Sequence, residues 1–590
     1  MDLFRKLSRL PIALTIPAFA MLLVVFGIPI FLLFLLSIHA PTFSFGSYVA
    51  FFSQPANVRV LYQTLEISVI VTAFCILIGY PSAYLIAAAS SRVRLVLIAL
   101  VMVSYLTSLL ARTYAWIVIL GDRGLINNLL LDLGLISSPL ELIYNRVAVY
   151  VGMVHVMLPM MILPLISLMM GIDKSLVAAA RSMGARPLTA FWRVFLPLSL
   201  PGIRSGALLV FVICLGFYIT PAALGGLRDT MLSTFIASQV RSSTNLAPTA
   251  ASAFILLAAA MVVLSIVGLD LAGTRSQATL QGGSPWLSRL TRSAAVSRYP
   301  AELLTPRRAK RWTTQLYRAG GRLAWEPLAG RIFLAVVMFF LLFPGIVVVV
   351  MSFGAGTFLE FPPSSFSLQW YRSFFGDPSW TTAAWTSIRI GMVVTLVSTV
   401  LGTLAAYGLS SSLPRLRGSL TMVALSPISL PVIVVGIATY LGLVKLGLIG
   451  TEFGIVLAHS TGAVAYVIVI VSSTLANFDK RLENAAKSMR AGPWQTFRRV
   501  TLPLIRPGIV GGAVFAFLHS LDEVVITSLV GGLTVRTLPL KMWENMRHQL
   551  DPTIAAVASL LMLLPFLWLT LLYLTWWRST SLSKTHRAAS

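Results

Sequence analysis

Hydrophobic positions along this chain recur neither at the helical period of an amphipathic helix nor at the two-residue period of a half-buried strand. They fill uninterrupted blocks instead. A helix crosses roughly 30 Å of hydrocarbon in about 20 residues, and twelve blocks reach that length. They lie at 11–38, 64–89, 95–120, 147–170, 204–226 and 249–273, then at 331–353, 386–410, 418–443, 451–475, 508–531 and 553–577. The pattern predicts an all-α membrane protein of 12 transmembrane helices in two tandem six-helix halves, 1–273 and 331–590, joined by a polar linker at 274–330.

Charge sets the orientation. The chain is 57% hydrophobic, only 11% charged, and carries a net charge of +26. Most of its Lys and Arg fall between apolar blocks on one side, as membrane topology requires. That placement excludes nucleic acid as the partner, since a nucleic-acid groove interleaves base with exposed aromatics. Arg5, Lys6 and Arg9 put the amino terminus in the cytoplasm. Alternation then places 90–94, 171–203, 274–330, 411–417, 476–507 and the carboxyl terminus there as well. The first apolar block is too long for a cleaved signal core and reads as a retained helix. The linker, with Arg307, Arg308, Lys310 and Arg311, reads as a solvated basic tether, with a short amphipathic helix on anionic lipid as the alternative. Cys75 and Cys214 both lie in apolar blocks and suit buried small residues rather than a disulfide or metal site.

An internal repeat carries the most information. Asp173–Ile203 aligns without gaps on Asp479–Ile509 at a constant offset of 306, with 18 of 31 positions identical. Each copy opens on an Ala-rich stretch of good helix formers. Each closes on Leu196-Pro197 and Pro201-Gly202, or Leu502-Pro503 and Pro507-Gly508, steps expected to break the helix before the next span. Two similar cytoplasmic segments, one per half, are what a two-fold symmetric partner would grip.

These segments resemble the EAA loop of ABC-importer permeases, which runs Glu-Ala-Ala, three residues, Gly, then Ile-x-Leu-Pro. The first copy reads Ala178-Ala179-Ala180-Arg181, then Gly184-Ala185. The second reads Asn484-Ala485-Ala486-Lys487, then Arg490-Ala491. Both lack the motif's Glu, and the second has Arg490 for its Gly. The resemblance implies that these twelve residues couple the chain to an ATP-hydrolysing subunit, with Glu483, Lys487 and Arg181 supplying the neighbouring charges. Ser108 to Trp116 and Tyr218 to Gly226 resemble one subunit of spermidine/putrescine permeases, and Ser520 to Thr527 and Thr537 to Trp543 resemble the other. That likeness implies a heterodimer fused into one chain, with the path between its halves.

No Gly-x-x-x-x-Gly-Lys-Ser/Thr loop is present, so ATP and Mg belong to partner subunits, and this chain is expected to bind no cofactor of its own. It offers no catalytic constellation and no metal ligand set. His155, His459 and His519 each stand alone in a span and read as packing residues. Asp522 and Glu523 are the sharpest candidates for the substrate path, because an ionised carboxylate inside a span faces a cavity or a partner. The blander alternative is that one acid pairs with a nearby Arg, or that Glu523 lies near the outer membrane surface. Tyr218, Trp116 and Trp543 could present aromatic faces to ammonium groups, with interfacial anchoring as the blander alternative. Arg112 reads as half of a buried ion pair, with Glu66 a conceivable partner, or as a snorkelling side chain, rather than as a substrate contact.

The expected function is a bacterial inner-membrane permease that moves a polyamine such as spermidine or putrescine inward by alternating access. Two cytoplasmic ATP-binding subunits and a periplasmic substrate-binding protein would serve it. Ferric iron, an aminophosphonate or an opine remain alternative cargoes for the same machinery. A secondary transporter, which needs no paired docking loops, is the remote alternative.

Overall fold

The computed structural model describes residues 11–243, 245–267, 326–356, 361–548 and 551–563. Regular structure among them is helical, apart from one bridge between Gly354 and Phe366. The first half includes α1 (Ala13–Ser37), α2 (Pro55–Ala88), α3 (Ser91–Leu106), α4 (Leu109–Leu120), α5 (Arg146–Met170), α6 (Lys174–Ser182), α7 (Pro187–Leu215), α8 (Ile219–Leu224), α9 (Leu232–Ser242) and α10 (Ala247–Val267), besides the short helices Gly46–Ser53 and Leu125–Asp132. The second half repeats the order. It has α11 (Glu326–Ser352), α12 (Pro378–Ser410), α13 (Pro414–Ser429), α14 (Val432–Lys445), α15 (Glu452–Ala476), α16 (Arg481–Ser488), α17 (Trp494–Asp522), α18 (Val525–Val530), α19 (Leu538–His548) and α20 (Thr553–Leu563).

Eight of these helices are long and apolar enough to cross a membrane, and two bent pairs raise the number to ten. The expected spans 95–120 and 418–443 are those pairs. Each apolar block is continuous in sequence, but the helix turns by 90° between α3 and α4 and by 97° between α13 and α14. Pro431 explains the second bend, since it cannot continue a helical ladder. The first has no proline, and its cause is tertiary. The sixth block of each half is only partly described, as the shorter apolar helices Ala247–Val263 and Thr553–Leu563. The linker at 274–330 lies almost wholly outside the described residues.

A second expectation is corrected at the fifth spans. The Leu-Pro and Pro-Gly steps do not break the chain, because α7 runs through Pro197 and Pro201, and α17 through Pro503 and Pro507. Each contains a π-helical turn, at Phe191–Phe195 or Phe497–Thr501, directly before the first proline. A shifted hydrogen-bond ladder relieves the clash between a proline ring and the carbonyl one turn back. The breaks come later than 204–226 and 508–531 implied, after Leu215 and after Asp522.

Inside each half the long helices meet at small residues, as membrane packing favours. A Cβ on Gly79 would lie 2.9 Å from Met161, and one on its counterpart Gly402 would lie 2.7 Å from Val467. The repeat extends to polar ties. Leu232 N donates to Thr64 Oγ1, and Leu538 N to Ser387 Oγ, both at 2.7 Å. Glu66 pairs with Arg146 at 3.0 Å, and at the matching positions Arg389 pairs with Glu452 with the charges exchanged. The halves interlock through their first helices. α1 packs on α12 and α14 of the second half, and α11 packs on α2, α3 and α4 of the first.

Candidate functional site

A cavity of about 350 Å³ opens on the seam between the halves. Val156, Met157, Met160, Gly462 and Tyr466 line it, each near the middle of its 25-residue helix, α5 or α15. The cavity therefore sits near mid-span. The bends of α3–α4 and α13–α14 supply Thr107, Ser108, Leu109, Pro427, Leu430 and Pro431, and the end of α17 supplies His519, Asp522 and Glu523. A volume near the lower end of the usual range for small-molecule sites, roughly 300–1,000 Å³, suits a compact solute.

Asp522 is held from across the seam. Ser108 Oγ donates to its Oδ1 at 2.5 Å, and Leu109 N donates to its Oδ2 at 3.1 Å. Ser108 is the N-cap residue of α4, so the carboxylate satisfies an otherwise orphaned amide at that helix start. It also faces the positive end of the α4 dipole. This contact accounts for a bend without proline: the break exposes an amide and a hydroxyl, and a residue 413 positions away meets both. No local signal marks it. Glu523 turns back on its own chain, accepting from Ile526 N at 2.9 Å at the start of α18.

At the offset of 306, the counterpart of Asp522 is Gly216, which closes the last turn of α7. Gly216 lies against the other bend, where a Cβ would fall 2.8 Å from Pro431 Cα and 3.1 Å from Val432 N. Pro431 is the N-cap residue of α14, as Ser108 is of α4. The two-fold repeat thus becomes asymmetric at the seam. One crossing is a charged hydrogen-bonded cap, and the other is a steric fit of glycine on proline.

The remaining candidates divide. Arg112 lines the cavity at 7% exposure, and its Nε and Nη1 have no hydrogen-bond partner there. Its conceivable partner Glu66 is engaged elsewhere, with Arg146, and the acid whose charge acts on Arg112 is Asp522 instead. Tyr218, Trp116 and Trp543 are not among the cavity walls. Tyr218 and Trp543 pack edge to face with ring centroids 5.5 Å apart, and Trp116 packs on His155 and Phe340. All three are buried, each packed against other aromatic rings. His155 bonds the carbonyl of Leu341 on α11 at 3.2 Å. His459 sits between Ser520 and Thr527, at 2.9 and 2.8 Å. His519 reaches the cavity itself, where its ring packs on Tyr466. Cys75 and Cys214 are buried and unpaired.

The repeated segments form α6 and α16, two short helices with matching ends. Gly184 N donates to Arg181 O and Ala185 N to Ala180 O; Arg490 N donates to Lys487 O and Ala491 N to Ala486 O. This double bond pattern is a Schellman cap, which needs a left-handed residue after the helix. Gly184 supplies it at φ 86°, and Arg490 adopts it at φ 62° despite its side chain. Ala180 and Ala486 are buried against the body of the protein, whereas Ala178, Ala179, Asn484, Ala485 and Lys487 face outward. Met183 and Met489 project at equivalent positions, 83% and 78% exposed, with Leu176 and Leu482 also open. At the start of α6, Asp173 accepts from the Ser175 amide, and its hydrogen bonds to Ser175 hold its carboxyl below the usual range. Glu483, expected as a docking charge, is occupied within the chain: Thr501 Oγ1 donates to it at 2.5 Å and Tyr407 Oη at 3.4 Å. Both halves pack aromatic rings there, Tyr407 on Phe497 and Tyr84 on Phe191, and the first half has Phe195 where the second has Thr501.

A family model described as the binding-protein-dependent transport system inner membrane component matches residues 398–576. The spermidine/putrescine transport system permease protein PotB of Haemophilus influenzae is 37% identical over 192 residues, which are 32% of this chain and 67% of that protein. The putrescine transport system permease protein PotI of Escherichia coli K12 is 33% identical over 231 residues, 38% of this chain and 82% of that one. This chain is about twice the length of either. A crystal structure of a bacterial ABC transporter involved in importing the acidic polysaccharide alginate aligns over 42% of this chain and 95% of its own, at 16% identity and a TM-score of 0.35.

Proposed function

Since this chain belongs to the family of binding-protein-dependent transport inner membrane components, we propose that it spans the membrane for an ATP-driven importer as two permease halves in one polypeptide, carrying a small amine of the spermidine or putrescine class into the cytoplasm. The observation that carries the reading is the mid-span cavity on the seam, walled by Asp522 and Glu523 beside Tyr105 and Tyr466. Carboxylates attract an ammonium group and replace part of its hydration, and aromatic faces add a cation–π contribution. ATP would be hydrolysed by two partner subunits docked on α6 and α16, whose exposed Met183 and Met489 offer matching apolar knobs. A periplasmic binding protein would deliver the cargo to the opposite face. Alternating access follows if each docking helix moves with its half, the halves being packed and bistable.

Arg112 favours a second reading within the same machinery. Its unpartnered guanidinium nitrogens on the cavity wall would suit a cargo that carries an acid beside its amine, such as an aminophosphonate or an opine. Uptake of labelled spermidine and putrescine in transport-deficient cells supplied with the chain, its ATPase and its binding protein decides between them, with unlabelled amines, aminophosphonates and opines as competitors. ATP-dependent amine uptake supports the first reading. Uptake blocked only by the zwitterions supports the second, and uptake without the ATPase would overturn both.

A further inference from the structure

We propose that Asp522 is a cargo-displaceable latch between the halves: its carboxylate ties the end of α17 to the start of α4, and an ammonium group entering the cavity takes the carboxylate away. The inference rests on the amine reading of the cargo. Its first support is that both Asp522 oxygens are spent on the opposite half, on Ser108 Oγ and Leu109 N. These donors are a neutral hydroxyl and a neutral amide, and Arg112 on the same wall acts on the carboxylate through its charge, with no hydrogen bond between them to displace. An ammonium group offers charge-assisted hydrogen bonds, which are roughly twice as strong, and it meets Asp522 from inside the cavity that Asp522 lines.

The second support is the asymmetry of the seam. Among the described residues the crossing of Gly216 on Pro431 makes no polar tie, whereas at the other bend Asp522 makes a hydrogen-bonded one. The third is mechanical. α17 is one helix from Trp494 to Asp522, about 43 Å at 1.5 Å per residue. Its far end follows directly from α16, the second coupling segment. Releasing Asp522 frees the seam end of a rod whose other end carries the ATPase contact. Cargo thereby controls whether the halves separate, which is a differential contact of the kind that shifts a two-state equilibrium.

The test uses the full chain with its ATPase subunits in nanodiscs, reading ATP hydrolysis with and without spermidine. Ser108→Ala removes one side of the latch and is expected to raise cargo-free hydrolysis at least threefold. Ser108→Thr, which keeps the hydroxyl, is expected to return the rate towards that of the parent. Asp522→Asn keeps an acceptor but not the charge and is expected to lose spermidine stimulation. A parent-like cargo-free rate in Ser108→Ala overturns the latch, even if spermidine still accelerates the parent, in which case the amine reading stands. A raised rate in Ser108→Ala with a parent indifferent to spermidine supports Asp522 as the tie between the halves and overturns the amine reading together with displacement by an ammonium group. A cross-link between cysteines placed as Ser108→Cys and Asp522→Cys gives an independent readout. It should hold ATP hydrolysis low until reduction raises it, and hydrolysis that reduction leaves unchanged overturns the proposal.

Discussion

Gly216→Ala tests the seam without touching a hydrogen bond. The new methyl would sit 2.8 Å from both Cα and Cβ of Pro431 and 3.1 Å from Val432 N. Ordinary carbon contacts begin near 3.5 Å, so the two backbones must part by about half an ångström or more. Neither has a flexible side chain to yield, because Gly216 closes α7 and Pro431 begins α14. Overpacking of this kind costs about 1–3 kcal/mol, which for a half of this size corresponds to a fall in melting temperature of roughly 2–6 °C. Cys75 and Cys214 are both buried, so a thiol-reactive fluorophore reports unfolding in detergent without any added label. Gly511→Ala is the control, since its methyl would meet only Ile470 Cγ2 at an ordinary 3.6 Å. That change should leave the melting temperature level or raise it, as alanine is the better helix former by about 1 kcal/mol. If Gly216→Ala melts no lower than Gly511→Ala, the two backbones are not in contact at this crossing, and the asymmetric seam is wrong.

Arg490→Gly should tighten the end of α16, because a side chain at φ 62° costs about 1–2 kcal/mol, part of which glycine's own flexibility offsets. Slower amide exchange at Arg490 and Ala491 would register the gain, and Gly184→Arg should speed exchange in the first copy. Arg389→Glu should destabilise the second half by under about 1 kcal/mol, since the pair with Glu452 is partly exposed. Adding Glu452→Arg should recover the loss in a thermal melt, because the first half already uses that polarity in Glu66 and Arg146.

Much of the architecture was legible in the chain because membrane insertion reads local composition. Uninterrupted apolar blocks, the placement of Lys and Arg, and the 306-residue repeat suffice for an all-helical permease of two like halves. The two repeated short helices were legible too, since α6 and α16 are local structures whose Ala-rich runs and left-handed ends depend on neighbouring residues. Asp522 and Glu523 stood out as acids in an apolar block, a signal that needs no partner to be seen.

What only the tertiary structure decided lies where residues distant in sequence meet. The bend at Thr107 and Ser108 has no breaker beside it, and it closes because Asp522 arrives from the other half. The prolines of α7 and α17 look like breaks, yet π turns upstream absorb them. Tyr218, Trp116 and Trp543 carry the same aromatic chemistry as a cation site, but packing against other aromatic rings hides them. Glu66 chose Arg146 over Arg112. Hydrophobicity, propensity and charge act along the chain and can be read from it. Capping across a seam, burial and pairing depend on which helices pack together, and in a duplicated fold the same two positions can meet as a carboxylate on an amide or as a glycine on a proline.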